Sequence, residues 1–266
     1  MNSWKQNMPD YLDTLAEDAK ETISSGYYEV PAKHVGQPVS LRKAIIESRQ
    51  NAIITEVKVA SPSRGTIKTS IDPSDVAKAM EDGGATGISV LTEPKHFSGS
   101  LGYIRKVREA VKLPILMKDI IIDPIQVEAA SRIGANVILL IEALFDRGYC
   151  ELSLEEMIEQ VHMKHLEVLL ETHSEEEFKH ATETDTDLVG INNRDLRTLK
   201  VDLGITETIL KKQNPKGKVV VSESGIMVPK DVLFLRGCGA QAFLIGSSIM
   251  MADSIEQKVK ELVTAH

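Results

Sequence analysis

The chain has 266 residues, 31 of them basic and 39 acidic, for a formal net charge of −8. That balance excludes nucleic acid and anionic membrane surfaces as principal partners, so an anionic ligand has to be held by a few local positive groups. There is no apolar run long enough to span a bilayer; the start, MNSWKQNMPDYLDTLAEDAK, lacks the basic and apolar regions of a secretory signal; and Cys150 and Cys238 lack any CxxC spacing, which reads as reduced thiols in a cytoplasmic protein.

Residues 1–50 precede the first strand and carry two helical stretches, Tyr11 to Ser25 and Leu41 to Gln50, with a loop between them. They are too short for a core of their own. They are therefore read as an N-terminal helical extension packed on one domain that spans residues 1–266. From residue 51 onward, apolar runs of strand length alternate with amphipathic stretches of helix length. The runs are AIITEVKVA (52–60), TGISVLTE (86–93), PILMKDI (114–120) and NVILLIEA (136–143), then EVLLETH (167–173), LVGINNRD (188–195), KVVVSESGI (218–226) and AFLIGSSIM (242–250). Near-continuous Val, Ile and Leu mark parallel strands buried on both faces.

The segments between them carry helix-start chemistry. Asp72-Pro73 and Asp123-Pro124 each place an N-cap acceptor before a proline suited to the first turn. Ser153 with Glu156, and Ser174 with Glu177, have capping-box spacing. Gly-Ala pairs at 84, 134 and 239 stand where a helix should stop and a strand begin. Eight strand–helix units of the α/β class predict a closed (βα)8 TIM barrel. An open doubly wound sheet would want a glycine-rich fingerprint after the first strand, and EVKVASPSRG is not one.

Charged and polar residues recur at the C-terminal ends of the runs, where a barrel gathers its active site. They are Glu56, Lys58, Lys118, Glu142, Glu171, Asn192, Arg194, Glu223 and Ser224. Burying so many ionisable groups is costly unless they are used. Glu56 and Lys58 are two apart and share a face with Ile54. Lys118 lies between apolar neighbours, so it is expected to titrate low and donate a proton readily. Glu171 follows Val168-Leu169-Leu170, so a raised pKa and a general-base role are expected.

SESGI (222–226) and IGSSIM (245–250) put small residues after the seventh and eighth strands, the usual phosphate position of this fold. Ser224, Gly225, Gly246 and Ser247 are the candidates there, and Ser61 of SPSRG adds a donor from across the mouth. The histidines form no metal-ligand cluster; His162 and His165 read as solvated, and His173 lies at the mouth without an assigned role. The pattern is Lys/Glu acid–base chemistry on a sugar phosphate, with neither metal nor cofactor.

EVKVASPSRG (56–65), SVLTEPKHFSGS (89–100), PILMKDI (114–120), GINNRDL (190–196), SESGI (222–226) and IGSS (245–248) together resemble the indole-3-glycerol-phosphate synthase family of tryptophan biosynthesis. The resemblance runs in order from about residue 40 to residue 250. It implies decarboxylating, dehydrating ring closure of 1-(2-carboxyphenylamino)-1-deoxyribulose 5-phosphate. On that basis Lys118 is the general acid at the sugar carbonyl, and Lys58 and Glu56 assist binding, closure and dehydration. Glu171 holds the anilino nitrogen or acts as base, and Asn192 orients it. Ser224, Gly225, Gly246 and Ser247 take the phosphate with Lys58 and Ser61, and Phe97, Ile120, Leu139 and Arg194 wall the substrate. Two positions depart from the family pattern: Val59, where a basic residue is common and the side chain should face outward, and Ile120, where phenylalanine is usual.

Two other readings stay open at this point. One is a phosphoribosyl isomerase of the same fold, which would want an Asp or Cys base. The other is a non-catalytic phosphate-binding barrel. The partner expected is a small sugar-phosphate substrate, with no nucleic acid and no membrane, acting on a monomer in the cytoplasm.

Overall fold

A computed structural model describes residues 10–31, 39–58, 60–61, 65–66 and 72–266, with 60–61 and 65–66 described as backbone. Val59 and the side chain of Ser61 lie outside the described residues. Among the described residues, eight parallel strands close a barrel: β1 (Ala52–Val57), β2 (Gly87–Leu91), β3 (Ile115–Lys118), β4 (Val137–Ile141), β5 (Glu167–Thr172), β6 (Leu188–Asn192), β7 (Val219–Glu223) and β8 (Ala242–Ile245). Each expected run contains one of these strands. β8 returns to β1, with Ala242 opposite Ala52, which completes the ring.

Alternation along each strand sorts the side chains. Ile54, Leu116, Leu139, Leu169, Leu188, Val221 and Leu244 fill the barrel interior. Their neighbours Ile53, Ile115, Ile138, Val168, Val189, Val220 and Phe243 pack outward against the helices. Both faces of every strand are thus removed from water, which is why the runs are continuously apolar.

The helix starts follow the local chemistry. Asp72 and Asp123 accept amides of their first turns ahead of Pro73 and Pro124, and Ser153 forms a full capping box with Glu156. Ser174 also caps its helix, but Glu177 reaches past it to the His173 amide at 2.7 Å, so the expected box is displaced by one residue. Gly84, Gly134 and Gly239 take positive φ at the helix ends, as the Gly-Ala pairs required.

The two N-terminal helices sit at opposite ends of the barrel. Helix α1 (Tyr11–Ser24) presents Leu12, Leu15, Ala16 and Ala19 to the protein and lies at the C-terminal mouth. Arg147 ties it down through Asp10 at 2.8 Å and Asp13 at 2.7 Å, and Lys95 does so through Asp18 at 2.8 Å. Helix α2 (Leu41–Glu47) closes the N-terminal end, with Leu41 fully buried in the interior cluster. Among the described residues no helix is long and apolar enough to cross a membrane.

Candidate active site

At the C-terminal ends of the strands a cavity of about 370 Å³ opens beneath α1. Glu56, Lys58, Lys118, Glu171, Asn192 and Ser224 line it, as do Gly225, Gly246 and Ser247 and the wall residues Phe97, Ile120, Leu139 and Arg194. The tertiary structure therefore brings together the singled-out residues that it describes, with the exception of Glu142. Ile54 points inward, and two-residue alternation carries Glu56 and Lys58 to the mouth, where Lys58 Nζ meets Glu56 Oε1 at 2.7 Å.

At the centre stands Lys118. Its Nζ lies 3.0 Å from Glu171 Oε2 and 3.3 Å from Glu223 Oε2. Glu171 is held from two further sides: Asn192 Nδ2 donates to its Oε1 at 3.0 Å, and His173 Nε2 is 3.2 Å from the same oxygen. The Asn192 carboxamide is itself fixed because its Oδ1 accepts the Arg194 amide at 3.0 Å.

This geometry reverses two expectations. Burial alone would lower Lys118, but the negative charges of Glu171, Glu223 and Glu56 outweigh it and hold the ammonium above the ordinary lysine range. Burial alone would raise Glu171, but Lys118 and His173 together with the Asn192 hydrogen bond push it well below the usual carboxylate range. The carboxyl that titrates high is Glu223. Burial raises it, the nearby Glu171 charge adds to that, and it has only a share of Lys118 to offset both. Two acids facing one cation separate in this way: the one with more donors is held low and the other is pushed up.

Glu142 is a second correction. Leu139 and Ile141 take the inward positions of β4, so Glu142 faces the outer layer, buried against the His180 ring, and does not line the cavity. The strand ends at Ile141, and Glu142 opens a short helix (Glu142–Asp146) whose start sets its carboxyl against His180.

The loops after β7 and β8 converge as the small residues predicted. Ser224 and Gly225 both adopt positive φ, and a Cβ on Gly225 would lie 2.3 Å from Val201 Cγ1. Ser248 Oγ donates to Ile226 O at 3.0 Å, which locks one loop to the other. Asn193 braces the end of β7, with its Nδ2 donating to Ser222 Oγ and to Glu223 O, each at 2.9 Å.

Three acidic lining residues had no role assigned from sequence. Glu223 was visible as one of the strand-end charges. Glu93 accepts the amides of Lys95, His96 and Phe97 at 2.8, 2.7 and 3.0 Å, and so places the Phe97 ring. Asp119 is buried beside Lys118, and burial pushes it up to about 6 although the Thr92 hydroxyl, the Ile120 amide and Tyr28 stabilise its anion. Its acidic side chain in PILMKDI was the available signal.

A closed parallel barrel with lysines and carboxyls converging at its C-terminal mouth defines a (βα)8-barrel enzyme of acid–base chemistry. The family model for indole-3-glycerol phosphate synthase matches residues 12–262, and the chain belongs to that family. The indole-3-glycerol phosphate synthase of Caldanaerobacter subterraneus subsp. tengcongensis is 44% identical over 215 residues, which cover 80% of each chain. Those of Shouchella clausii and Neisseria gonorrhoeae are each 38% identical; the first match covers 94% of this chain and 96% of the relative, the second 96% and 100%. Among solved structures, thiamine phosphate pyrophosphorylase from Pyrococcus furiosus shares the fold, with a TM-score of 0.59 and 16% identity, over 84% of this chain and 96% of that one.

Proposed function

We propose that the chain converts 1-(2-carboxyphenylamino)-1-deoxyribulose 5-phosphate to indole-3-glycerol phosphate with loss of one carbon dioxide and one water. The observation that carries this reading is the position of Lys118, a part-buried ammonium between Glu171 and Glu223 at the mouth of the barrel. Lys118 donates to the sugar ketone oxygen as the arene carbon attacks, and loss of the carboxylate then restores the aromatic ring. Its ammonium stays charged until the negative oxygen develops, which is when donation lowers the barrier.

Glu171, fixed as an anion, accepts the anilino N–H in preference to acting as a base, and Asn192 keeps it aligned. Glu223, whose carboxyl titrates high, can give and take a proton during dehydration. Glu56 and Lys58 form a second acid–base pair across the mouth. The amides and hydroxyls of Ser224, Gly225, Gly246 and Ser247 bind the phosphate with Lys58, supported by the close approach that glycine allows. Phe97, Ile120 and Leu139 wall the aromatic portion and Arg194 borders it.

The acid, base and phosphate-binding groups that the proposed reaction needs all stand on this chain, so the reading takes a monomer as the working unit. The N-terminal extension and the barrel act as a single domain, because α1 completes the mouth. The free thiols Cys150 and Cys238 and the absence, among the described residues, of a membrane-spanning helix fit a cytoplasmic enzyme.

The test is indole fluorescence on addition of the carboxyphenylamino-deoxyribulose phosphate. Turnover is expected, and inorganic phosphate at about tens of millimolar, the range of a weak anion site, should compete with substrate. No fluorescence from folded protein overturns the reading, and unchanged kinetics in phosphate overturn the phosphate assignment.

A further inference from the structure

Gly190 stands in the middle of β6, where a glycine is unfavourable because it adds backbone entropy and packs nothing. The usual excuses for it are missing. Its φ is not positive, and the nearest backbone atom to a Cβ built there, Glu171 Cα, would be 3.4 Å away, an ordinary contact. Leu188 and Asn192 point into the barrel, so the vacant side-chain position of Gly190 faces inward too, level with Glu171 on β5. The side chain that fills this vacancy comes from β7: a Cβ at 190 would lie 2.2 Å from Glu223 Oε1 and 3.4 Å from Glu223 Cδ. That oxygen is buried and has no hydrogen-bond partner among the described residues, while Oε2 faces Lys118. What holds Oε1 where it is, then, is shape. A similar arrangement recurs at Gly246, where a Cβ would lie 2.4 Å from Glu56 Oε1.

We propose that Gly190 is a positioning residue for the reaction, its missing side chain forming the seat that keeps the Glu223 carboxyl beside Lys118. This rests on the reading of Glu223 as a reacting carboxyl. A methyl group at 190 has to drive Oε1 aside by about 1 Å before contact becomes ordinary, and misplacements of that size cost about 100-fold in rate. The backbone of the strand has no reason to move.

The experiment is a cycle of Gly190→Ala, Glu223→Ala and the double variant, each assayed for kcat and KM by indole fluorescence and melted. Gly190→Ala should lower kcat by about 100-fold with KM changed less than about 3-fold, since binding groups stay in place. Once Glu223 is gone the seat is empty, so adding Gly190→Ala to Glu223→Ala should cost no more than about a further 2-fold and leave the melting temperature unchanged. Full turnover by Gly190→Ala beside an inactive Glu223→Ala would overturn the seat alone. Full turnover by Glu223→Ala would instead overturn the role of Glu223. If Gly190→Ala fails to fold, the double variant decides: recovery of the Glu223→Ala melting temperature supports the seat, and continued failure assigns Gly190 to the backbone and ends the proposal.

Discussion

At the N-terminal end of the barrel, Glu167 gives its carboxylate to the Ser40 hydroxyl and to the amides of Leu41 and Arg42 at 2.8 and 3.1 Å. At the C-terminal end, Glu223 gives one oxygen to Lys118 at 3.3 Å, and its other oxygen has no hydrogen-bond partner among the described residues. Glu167 completes the first turn of α2, where the unpaired amides and the helix dipole favour an anion. It is saturated with donors. Glu223 is short of donors, and burial with the Glu171 charge beside it pushes its carboxyl up. Asn51 belongs with the saturated end, because its Nδ2 donates to the carbonyls of Leu262, Val263 and Ala265 and ties the C-terminal helix across the bottom. A charged or polar group near a barrel end is therefore read by how completely the protein satisfies it.

The contrast is broken most severely at Lys118. Lys118→Ala is expected to cut kcat by at least about 100-fold, the usual scale for a general acid. The fold should survive, because Glu171 keeps Asn192 and His173. Near-wild-type turnover would show that the mouth does not work through its central cation.

The reciprocal change at the other end is Glu167→Ala. Leaving three donors of α2 without their acceptor should cost about 1–3 kcal/mol, seen as a lower melting temperature. Turnover by the folded protein should be unchanged, and a fall in kcat would mean the two ends are not separable.

His173 sharpens the comparison by pH. Burial would lower its pKa, but the carboxylates of Glu171, 3.2 Å from Nε2, and Glu177, 3.7 Å from Nδ1, lift it to about 9, above the 6.5 of free imidazole. The protonated ring thus stabilises the fold fully below the unfolded value, and that contribution fades as pH rises through the folded one. The melting difference between wild type and His173→Gln should be largest near about pH 6 and negligible by about pH 10. A difference that does not change with pH would show that the ring is neutral.

The smallest effect is expected at Ile120, which lines the cavity yet is only 5% exposed. An aromatic contact adds about 0.5–1.5 kcal/mol beyond area, roughly 2- to 12-fold in affinity, so Ile120→Phe should lower KM by about that factor where space allows. Overpacking would cost about 1–3 kcal/mol instead. Lost stability without tighter binding would place Ile120 in the packed interior and end its role as a ligand wall.

All eight strands, the caps at Asp72, Asp123 and Ser153, and the helix stops at Gly84, Gly134 and Gly239 could be read from the sequence, because each depends on residues within a few positions of one another. The strand-end charges were legible for the same reason: a barrel brings the C-terminal ends of its strands together whatever lies between them. Tertiary structure alone decided which acid is held low and which is pushed up. Lys118 meets Glu171 across 53 residues and Glu223 across 105, and the sign of each pKa shift depends on those distances and on how donors are shared. It also turned Glu142 outward, left Gly190 open to Glu223, and set the Glu93 carboxylate under the amides that carry Phe97. Local periodicity is encoded along the chain, whereas charge balance and excluded volume act through space.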